Sequence, residues 1–321
     1  MTTNDIVSKQ NSQISIKRLA AQRALYSNAK YFLAAQFIFS IPIAILIAFI
    51  ALALDKEWLG LPKTDIAWLV GLSGISFLII ELFLNPFMNN QKEKAAKIQQ
   101  CFDSDVLGIP MCEITYGKPP DQEITEVWAK KCFASGTSAE EFRDWYRVEV
   151  ADLPMEVARI ICQRANCWWD EELRRRYNLL ICFVGVVLLA VIIMIVLKLD
   201  CTATMFFGLV VPLLLPFVSV ASKVFQDNRD AILRLSAMKE SINDAWQRIL
   251  RNALTNEDLI SLANIIQAGI FSNRRSNPLV FDWIHHCFKP RHEEATSKST
   301  ASYVEAVSYT HLRAHETLRY L

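Results

Sequence analysis

The chain has 321 residues, of which 52% are hydrophobic and 21% are charged. So many charged residues exclude a protein made only of membrane helices, because the charges require substantial parts exposed to water. The formal net charge of +1 indicates no particular partner, since it conceals an uneven distribution of basic residues along the chain.

Four hydrophobic stretches form two tight hairpins, at 31–54 and 66–88 and then at 179–199 and 201–221. A bilayer core about 30 Å thick needs about 20 apolar residues in helical form, which each stretch provides. None alternates with period two, so helices are predicted rather than barrel strands. The predicted fold is an all-α membrane protein with four transmembrane helices in two hairpins, a mostly helical cytoplasmic insert and a C-terminal helical extension.

The hairpins divide the chain into six predicted parts. These are an N-terminal segment (1–30), a first hairpin (31–88), an insert (89–176), a second hairpin (177–221), a helical region (222–305) and a tail (306–321). The tail resembles translated sequencing-adapter sequence, so it supports no prediction about the fold, and we expect the native end of the chain to differ.

Basic residues near the ends of the spans predict the topology. Arg174, Arg175 and Arg176 stand directly before the third span, and Lys223 follows the fourth, whereas the loops between paired spans carry few basic residues. Basic residues at span ends stay on the cytoplasmic side. We therefore predict a multi-pass membrane protein with both termini and the insert in the cytoplasm. The polar first thirty residues predict no cleavable signal sequence.

Local patterns in the insert predict both irregular and helical segments. Gly108 and Pro110 interrupt residues 102–116, for which we expect extended backbone or short strands. Ser138 with Glu141 forms a capping box that predicts a helix to about Val148.

A helix that starts after Pro154 is expected to run without a break into the third span, because apolar residues recur at three and four positions. The fourth span is expected to continue in the same way, with a heptad seam through Asn228, Leu235 and Ile242. That seam packs either within the subunit or on a neighbouring subunit. Thr255 with Asp258 predicts the start of a further helix.

Two polar residues in the second span are candidates for a pore or gate. Glu81 lies past the middle of the span, and Asn85 follows one turn later on the same face. An ionisable group at that depth usually faces a bundle interior or water. The alternative is a carboxylate at the interface that reaches the lipid headgroups.

A cluster of basic and aromatic residues before the third span is a candidate ligand-binding or signal-sensing site. Its members are Arg164, Trp168, Trp169, Arg174, Arg175, Arg176 and Tyr177, and Lys130, Lys131, Arg143 and Arg147 extend it. Arginine pairs with phosphate and aromatic faces stack on bases, so a nucleotide pocket is feasible. The alternative is membrane anchoring by the arginines and an interfacial belt of tryptophans.

Catalytic and metal-binding motifs are missing from the sequence. It contains no hydrolase, kinase or phosphate-loop motif, and nine glycines leave little material for such a loop. His285, His286 and Cys287 are consecutive and point apart, which makes a poor metal site. We therefore expect neither an enzyme nor a cofactor.

Two segments resemble a known family. FDSDVLGIP (Phe102 to Pro110) and CQRANCWWDEELRRRY (Cys162 to Tyr177), with two hairpins around a cytoplasmic insert, resemble the bacterial SMODS-associated four-transmembrane effectors. The resemblance adds further family-motif positions, namely Phe102, Asp103, Pro110, Asn166, Asp170 and Leu173.

The resemblance implies a membrane effector of an anti-phage system with cyclic-oligonucleotide signalling. A nucleotidyltransferase (cyclase) would make the cyclic nucleotide, and the effector would form homo-oligomers that permeabilise the inner membrane and cause abortive infection. The implied partners are the lipid bilayer, further copies of the chain, and the cyclase with its cyclic nucleotide, with no DNA or RNA polymer. The alternative is a constitutive membrane scaffold or interaction protein without a pore.

Overall fold

The computed structural model describes residues 4–55, 67–198, 202–251 and 253–319, and every regular element among them is helical. The ten α-helices in these ranges are α1 Ile6–Gln10, α2 Gln13–Asp55, α3 Ala67–Leu107, α4 Glu113–Tyr116, α5 Gln122–Ala134, α6 Met155–Lys198, α7 Ala203–Met205, α8 Val211–Leu250, α9 Asn256–Ser276 and α10 Asp282–Arg319. Short 3₁₀ helices lie at Ala139–Phe142 and Val148–Asp152, and a π-helical turn at Phe206–Val210 leads into α8. The loops predicted between the paired spans fall almost entirely on residues 56–66 and 199–201, which lie outside the described residues.

Four of the five long helices in the described ranges, α2, α3, α6 and α8, each combine a polar part with an apolar part. The polar parts pack with α1, α4, α5, α9 and the first part of α10 into one body, the polar bundle, which comprises the described residues of 4–33, 88–178 and 222–306. Its core contains fully buried side chains from α2, α3, α6 and α8, for example Leu19, Phe102, Ile160 and Ile242.

The apolar parts leave this bundle and carry exposed hydrophobic side chains. Leu72, Leu82, Phe183, Leu197 and Leu215 are all exposed. Within the described ranges, α6 is the one helix that is long and apolar enough to cross a membrane, and its apolar stretch is not buried against other parts of the protein. Hydrophobic surface of this extent is typical of a membrane contact.

The end of α3 corrects one prediction from the sequence. Residues 102–107 continue α3 in place of the expected extended segment. Gly108 then adopts a φ of +61°, and Pro110 follows two residues later. Glycine just beyond the last helical turn and proline shortly after it form a helix stop. The extended-backbone prediction was therefore wrong for residues 102–107, which continue α3, and for 113–116, which form α4, whereas 108–112 lie outside the helices.

The segment after Ser138 corrects a second prediction. The capping box of Ser138 and Glu141 is confirmed, but it opens only the single 3₁₀ turn Ala139–Phe142. The expected helix to Val148 is wrong, because the backbone of Tyr146 pairs with another part of the chain. Its N–H donates to Gln10 Oε1 at 2.7 Å, and its carbonyl accepts from Gln10 Nε2 at 3.0 Å. Bonds to this distant side chain replace local helical bonds.

The other helix predictions near the spans are confirmed. Helix α6 begins at Met155 and runs unbroken to Lys198, and the Thr255–Asp258 capping box opens α9. The seam of α8 packs against α6 of the same subunit, with Asn228, Leu235 and Ile242 buried. Of the two predicted alternatives for this seam, the structure has the one in which it packs within its own subunit.

Candidate functional site

A cavity of about 420 Å³ lies inside the polar bundle between α2, α6, α9 and α10. Its size falls within the range of about 300–1,000 Å³ that is typical of small-ligand pockets. The lining includes basic, aromatic and acidic side chains, among them Arg23, Lys30, Tyr146, Trp169, Arg174, Arg274, Asp282 and His285.

One side of the cavity rests on a buried network around Asp103 of α3, which is fully buried. Asp103 forms an ion pair with Arg274 of α9 and accepts hydrogen bonds from the Tyr146 hydroxyl at 2.6 Å and from Gln267 Nε2 at 2.9 Å. Asn166 Nδ2 of α6 donates to the same tyrosine hydroxyl at 3.1 Å. The network thereby fixes the orientation of Tyr146 and Arg274 at the cavity surface.

The protonation states in this network follow from burial and charge. Burial, and then the charge of Asp103, hold the pKa of Tyr146 well above its usual value, so its hydroxyl remains a donor. Burial alone would lower the pKa of Arg274, but Asp103 and Tyr146 reverse that effect and raise it. The guanidinium therefore stays charged although it is largely buried.

A second wall is formed by α6. The rings of Trp169 and His285 lie 5.2 Å apart, and Arg174 is buried beside them. Arg174 pairs with Asp170 at 2.9 Å and donates to Asn228 Oδ1 of α8 at 2.6 Å. This wall combines an aromatic face with a fixed guanidinium, which is suitable chemistry for a base and a phosphate.

The third wall is formed by α2. Arg23 Nη1 donates to Glu141 Oε2 at 2.8 Å, and Lys30 Nζ donates to Asp282 Oδ1 at 2.5 Å. Ser27 donates to the other oxygen of Asp282, at 2.8 Å. These bonds connect α2 to the 3₁₀ segment and to the first turn of α10.

Charges along the cavity are nearly balanced. The lining holds six basic side chains (Arg23, Lys30, Arg143, Arg147, Arg174, Arg274) and five acidic ones (Glu141, Asp144, Asp170, Asp282, Glu293). An anionic ligand would therefore compete with carboxylates for the basic groups.

Two cysteines also line the cavity, and both are buried. Burial raises the pKa of Cys167 to about 12 and raises that of Cys162 further. These thiols stay protonated at neutral pH and are poor nucleophiles. Across the described ranges, no three His, Cys, Asp or Glu side chains are grouped so that they could hold a metal ion.

The structure brings some of the predicted site residues together. Asn166, Trp169, Asp170, Leu173 and Arg174 all line the cavity. Their spacing of three, four, seven and eight places them on one face of α6. Phe102 lies behind the cavity, where its ring stacks on that of Tyr146 at 6.0 Å, next to Asp103.

Other predicted residues lie elsewhere. Arg164 and Trp168 line a smaller cavity of about 150 Å³, where the Arg164 guanidinium lies 4.8 Å from the ring of Tyr303. Arg175 pairs with Glu171, and Arg176 pairs with Glu172 and lies over the ring of Phe288. Tyr177 packs in an apolar cluster with Leu173, and Pro110 is exposed. A sensing role for the basic and aromatic cluster therefore stays a prediction, centred on Trp169 and Arg174.

The candidate pore residues lie on α3 outside the polar bundle. Asn85 Nδ2 donates to Glu81 Oε1 at 3.3 Å, so the two side chains form one polar pair along the helix. Their role in a pore or gate stays a prediction.

Sequence reasoning missed several cavity residues, chiefly Arg23, Lys30, Tyr146, Arg274 and Asp282. They come from four segments that are far apart in the chain. The one signal in the sequence is that basic residues accumulate before the first span and at the end of α9. It does not indicate which acidic residues pair with either set of basic residues.

Comparison with known proteins confirms the family resemblance seen in the sequence. The profile of the SMODS-associating 4TM effector domain family matches residues 4–303. The chain therefore belongs to this family. It is also 24% identical, over 290 residues, to a probable CBASS effector molecule of Bacillus cereus (strain VD146), and the match covers 90% of this chain and 95% of the relative. No solved structure matches the chain.

Proposed function

We propose that this protein is a multi-pass inner-membrane effector of an anti-phage defence system, and that its cavity receives a cyclic oligonucleotide. Binding would cause its oligomers to permeabilise the membrane and abort the infection. Family membership and the relative described as a probable CBASS effector support the defence role. The cyclase that makes the signal is the expected functional partner.

One observation carries this proposal: two walls of the cavity are helices that continue into apolar segments. Helix α2 lines the cavity with residues 22–30 and continues to Asp55, and α6 lines it with residues 161–174 and continues to Lys198. An α-helix transmits a displacement along its axis because its backbone bonds are internal. A ligand that changes the distance between α2 and α6 would therefore move their membrane segments.

The lining also suits a nucleotide. Trp169 offers an aromatic face for a base, and Arg174 and Arg274 offer guanidinium groups for phosphate. Since both arginines are held by neighbouring side chains, little side-chain entropy would be lost on binding.

Contacts within the polar bundle support four spans with both termini on one side of the membrane, and the basic residues at the span ends favour the cytoplasmic side. Asn4 Nδ2 donates to the carbonyl of Val150 at 2.7 Å, and Gln163 Nε2 donates to that of Ala263 at 2.8 Å. The N-terminal segment, the insert and the C-terminal region thus belong to one folded body, which lies on one side of a bilayer. Two spans, α2 and α3, between the N-terminal segment and the insert satisfy that condition. Two further spans, α6 and α8, between the insert and the C-terminal region do the same.

Permeabilisation would require several subunits. Four helices of one subunit leave no room for a wide aqueous channel, so a pore would form between copies of the chain. The Glu81 and Asn85 pair is the polar feature of α3 that would line it.

Binding of a panel of cyclic di- and trinucleotides to the full-length protein in lipid nanodiscs tests the proposal. We expect one of them to bind, and Trp169→Ala and Arg174→Met each to weaken that binding by roughly tenfold or more. Arg175→Ala is the matched control, because Arg175 is the neighbouring arginine and does not line the cavity. If correctly folded protein binds no member of the panel, the signal-receptor proposal is wrong, and the scaffold alternative gains support.

A further inference from the structure

Helix α2 presents three donors in a row to the cavity region. Arg23, Ser27 and Lys30 are spaced by four and three residues, so they share one face of the helix. Their partners are carboxylates from two other elements, Glu141 in the 3₁₀ turn and Asp282 at the start of α10. Arg23 also lies 3.4 Å from Nε2 of His286.

The geometry at Asp282 is that of a bound oxyanion. Ser27 Oγ donates to one carboxylate oxygen at 2.8 Å, and Lys30 Nζ donates to the other at 2.5 Å. A hydroxyl and an ammonium that hold two oxygens of one anion, with a guanidinium one turn away, form a donor set that is typical of phosphate sites. The carboxylates of Asp282 and Glu141 take the place of phosphate oxygens in this structure.

Both carboxylates are partly exposed to solvent. The Asp282 side chain is 44% exposed and that of Glu141 is 39% exposed, whereas the Lys30 ammonium side chain is only 18% exposed. A released carboxylate would therefore be solvated, and the lysine would keep an anionic partner. Burial would raise the pKa of Asp282, but Lys30 and Ser27 lower it overall, so it is an anion at neutral pH.

We infer that Arg23, Ser27 and Lys30 form a phosphate subsite that Asp282 and Glu141 occupy until a phosphate group displaces them. Displacement breaks the bonds that hold α2 to α10 and to the 3₁₀ turn, while it leaves the cations neutralised. The inference rests on the proposed function in that the phosphate enters the same cavity. Its source is either a soluble phosphodiester or an anionic lipid headgroup.

Removing a carboxylate and removing a donor should have opposite effects on phosphate binding, and this contrast tests the inference. Full-length protein in phosphatidylcholine nanodiscs is titrated with inorganic pyrophosphate at constant ionic strength, and binding is followed by the shift in melting temperature. We expect Asp282→Asn and Glu141→Gln each to lower the midpoint concentration by about threefold to fivefold, because the competing anion is removed. We expect Ser27→Ala and Lys30→Met each to raise it by about tenfold.

The matched control is Glu126→Gln. Glu126 pairs with Lys17 of α2, and neither residue lines the cavity, so this substitution should leave the midpoint unchanged. An ion pair that is only structural would not give tighter binding when its carboxylate is removed. Unchanged or weaker binding by both carboxylate variants overturns the inference, as does unchanged binding by both Ser27→Ala and Lys30→Met.

A second set of nanodiscs, which also contains phosphatidylglycerol, distinguishes the two sources of phosphate. If phosphatidylglycerol raises the pyrophosphate midpoint of the unsubstituted protein but not that of Lys30→Met, the subsite takes a lipid headgroup. If it has no effect and the substitutions behave as expected, the subsite takes a soluble phosphate. This titration involves neither a cyclic nucleotide nor leakage, so failure of the proposed function would not imitate failure of the subsite.

Discussion

The ion pair between Asp103 and Arg274 connects α3 to α9 behind the cavity, and Asp103 is fully buried. We expect Asp103→Asn to lower the free energy of unfolding by about 3 kcal/mol, because it leaves the Arg274 guanidinium buried without its counter-ion. A denaturant titration of the full-length protein in detergent, followed by tryptophan fluorescence, measures this loss.

Asp105→Asn is the control for that variant. Asp105 lies on the same helix and pairs with Arg18, but its side chain is 61% exposed. Pairs of this kind contribute about 1 kcal/mol or less. Equal losses for the two variants would show that burial does not distinguish the two ion pairs.

Lys92 at the border between the apolar part of α3 and the polar bundle is a source of instability. Burial, and then the charge of Arg174, lower its pKa to about 8. Below pH 8 Lys92 is charged in both the folded and the unfolded state, so the free-energy cost of burying the ammonium destabilises the folded state in full. Between pH 8 and about 10.4 only the unfolded state keeps the proton, and stability rises with pH.

We therefore expect Lys92→Met to raise the free energy of unfolding by roughly 2 kcal/mol at pH 7, and we expect this gain to vanish above about pH 10.4. Melting temperatures from pH 7 to the alkaline limit, with Lys94→Met as the control on the same helix, measure the effect. A Lys92→Met protein that is less stable than the unsubstituted protein at pH 7 would show that the ammonium is well solvated.

At single positions, the sequence predicts one wall of the cavity and not the others. Asn166, Trp169, Asp170 and Arg174 lie on one α-helix, so helical spacing alone places them together. Lys30 and Asp282 are 252 residues apart, and no local pattern relates them. Those walls depend on tertiary packing, which periodicity does not encode.

Helices α6 and α8 are held together by a polar clamp centred on Glu171, whose side chain is 4% exposed. Its carboxylate accepts from Lys239 Nζ at 2.6 Å and Ser236 Oγ at 2.8 Å, both on α8, and from Arg175 on its own helix. Burial would raise the pKa of Glu171, but these three donors lower it overall. The clamp joins the two helices that continue into the second predicted hairpin.

The stability that Glu171 provides depends on pH. Because its folded-state pKa is lowered, the contribution is complete above the usual glutamate pKa of about 4.3 and is lost as the pH falls through the folded-state value. We expect Glu171→Gln to cost about 2 kcal/mol at pH 7, and we expect this difference to shrink as the pH falls below about 4.3 and through the folded-state pKa. Melting curves from pH 7 to pH 3 provide the measurement.

Glu172→Gln is the matched control for the clamp. Glu172 is the next residue and pairs only along the helix with Arg176, with 28% of its side chain exposed. A loss of about 1 kcal/mol or less is expected for it. If Glu171→Gln gave the same loss at pH 7 and at pH 3, the carboxylate charge would not be the source of the clamp.

Helix ends show where sequence signals fail and where they succeed. Gly108 and Pro110 are typical both of a loop and of a helix stop, and the apolar residues before them decided the outcome, because Phe102, Val106 and Leu107 are buried in the core. The capping box at Thr255 held because the following residues bury one face of α9, including Leu259 and Ala263. The capping box at Ser138 opens only one turn although Phe142 is buried, because the side chain of Gln10 pairs with the backbone of Tyr146.

The whole molecule joins a polar bundle with a cavity to apolar helices that carry exposed hydrophobic surface. Two cavity walls, α2 and α6, are continuous with those helices, and α8 is clamped to α6. In the account proposed here, a ligand in the cavity changes the relative positions of these helices, and the membrane segments of several subunits then form a pore.

Leakage of dye and ions from liposomes that contain the full-length protein, with and without a panel of cyclic di- and trinucleotides, tests this account most directly. The account predicts leakage with one member of the panel and little without it, and Trp169→Ala should abolish the response while Arg175→Ala preserves it. Correctly inserted protein that causes no leakage with any member of the panel, or equal leakage with and without nucleotide, would contradict it.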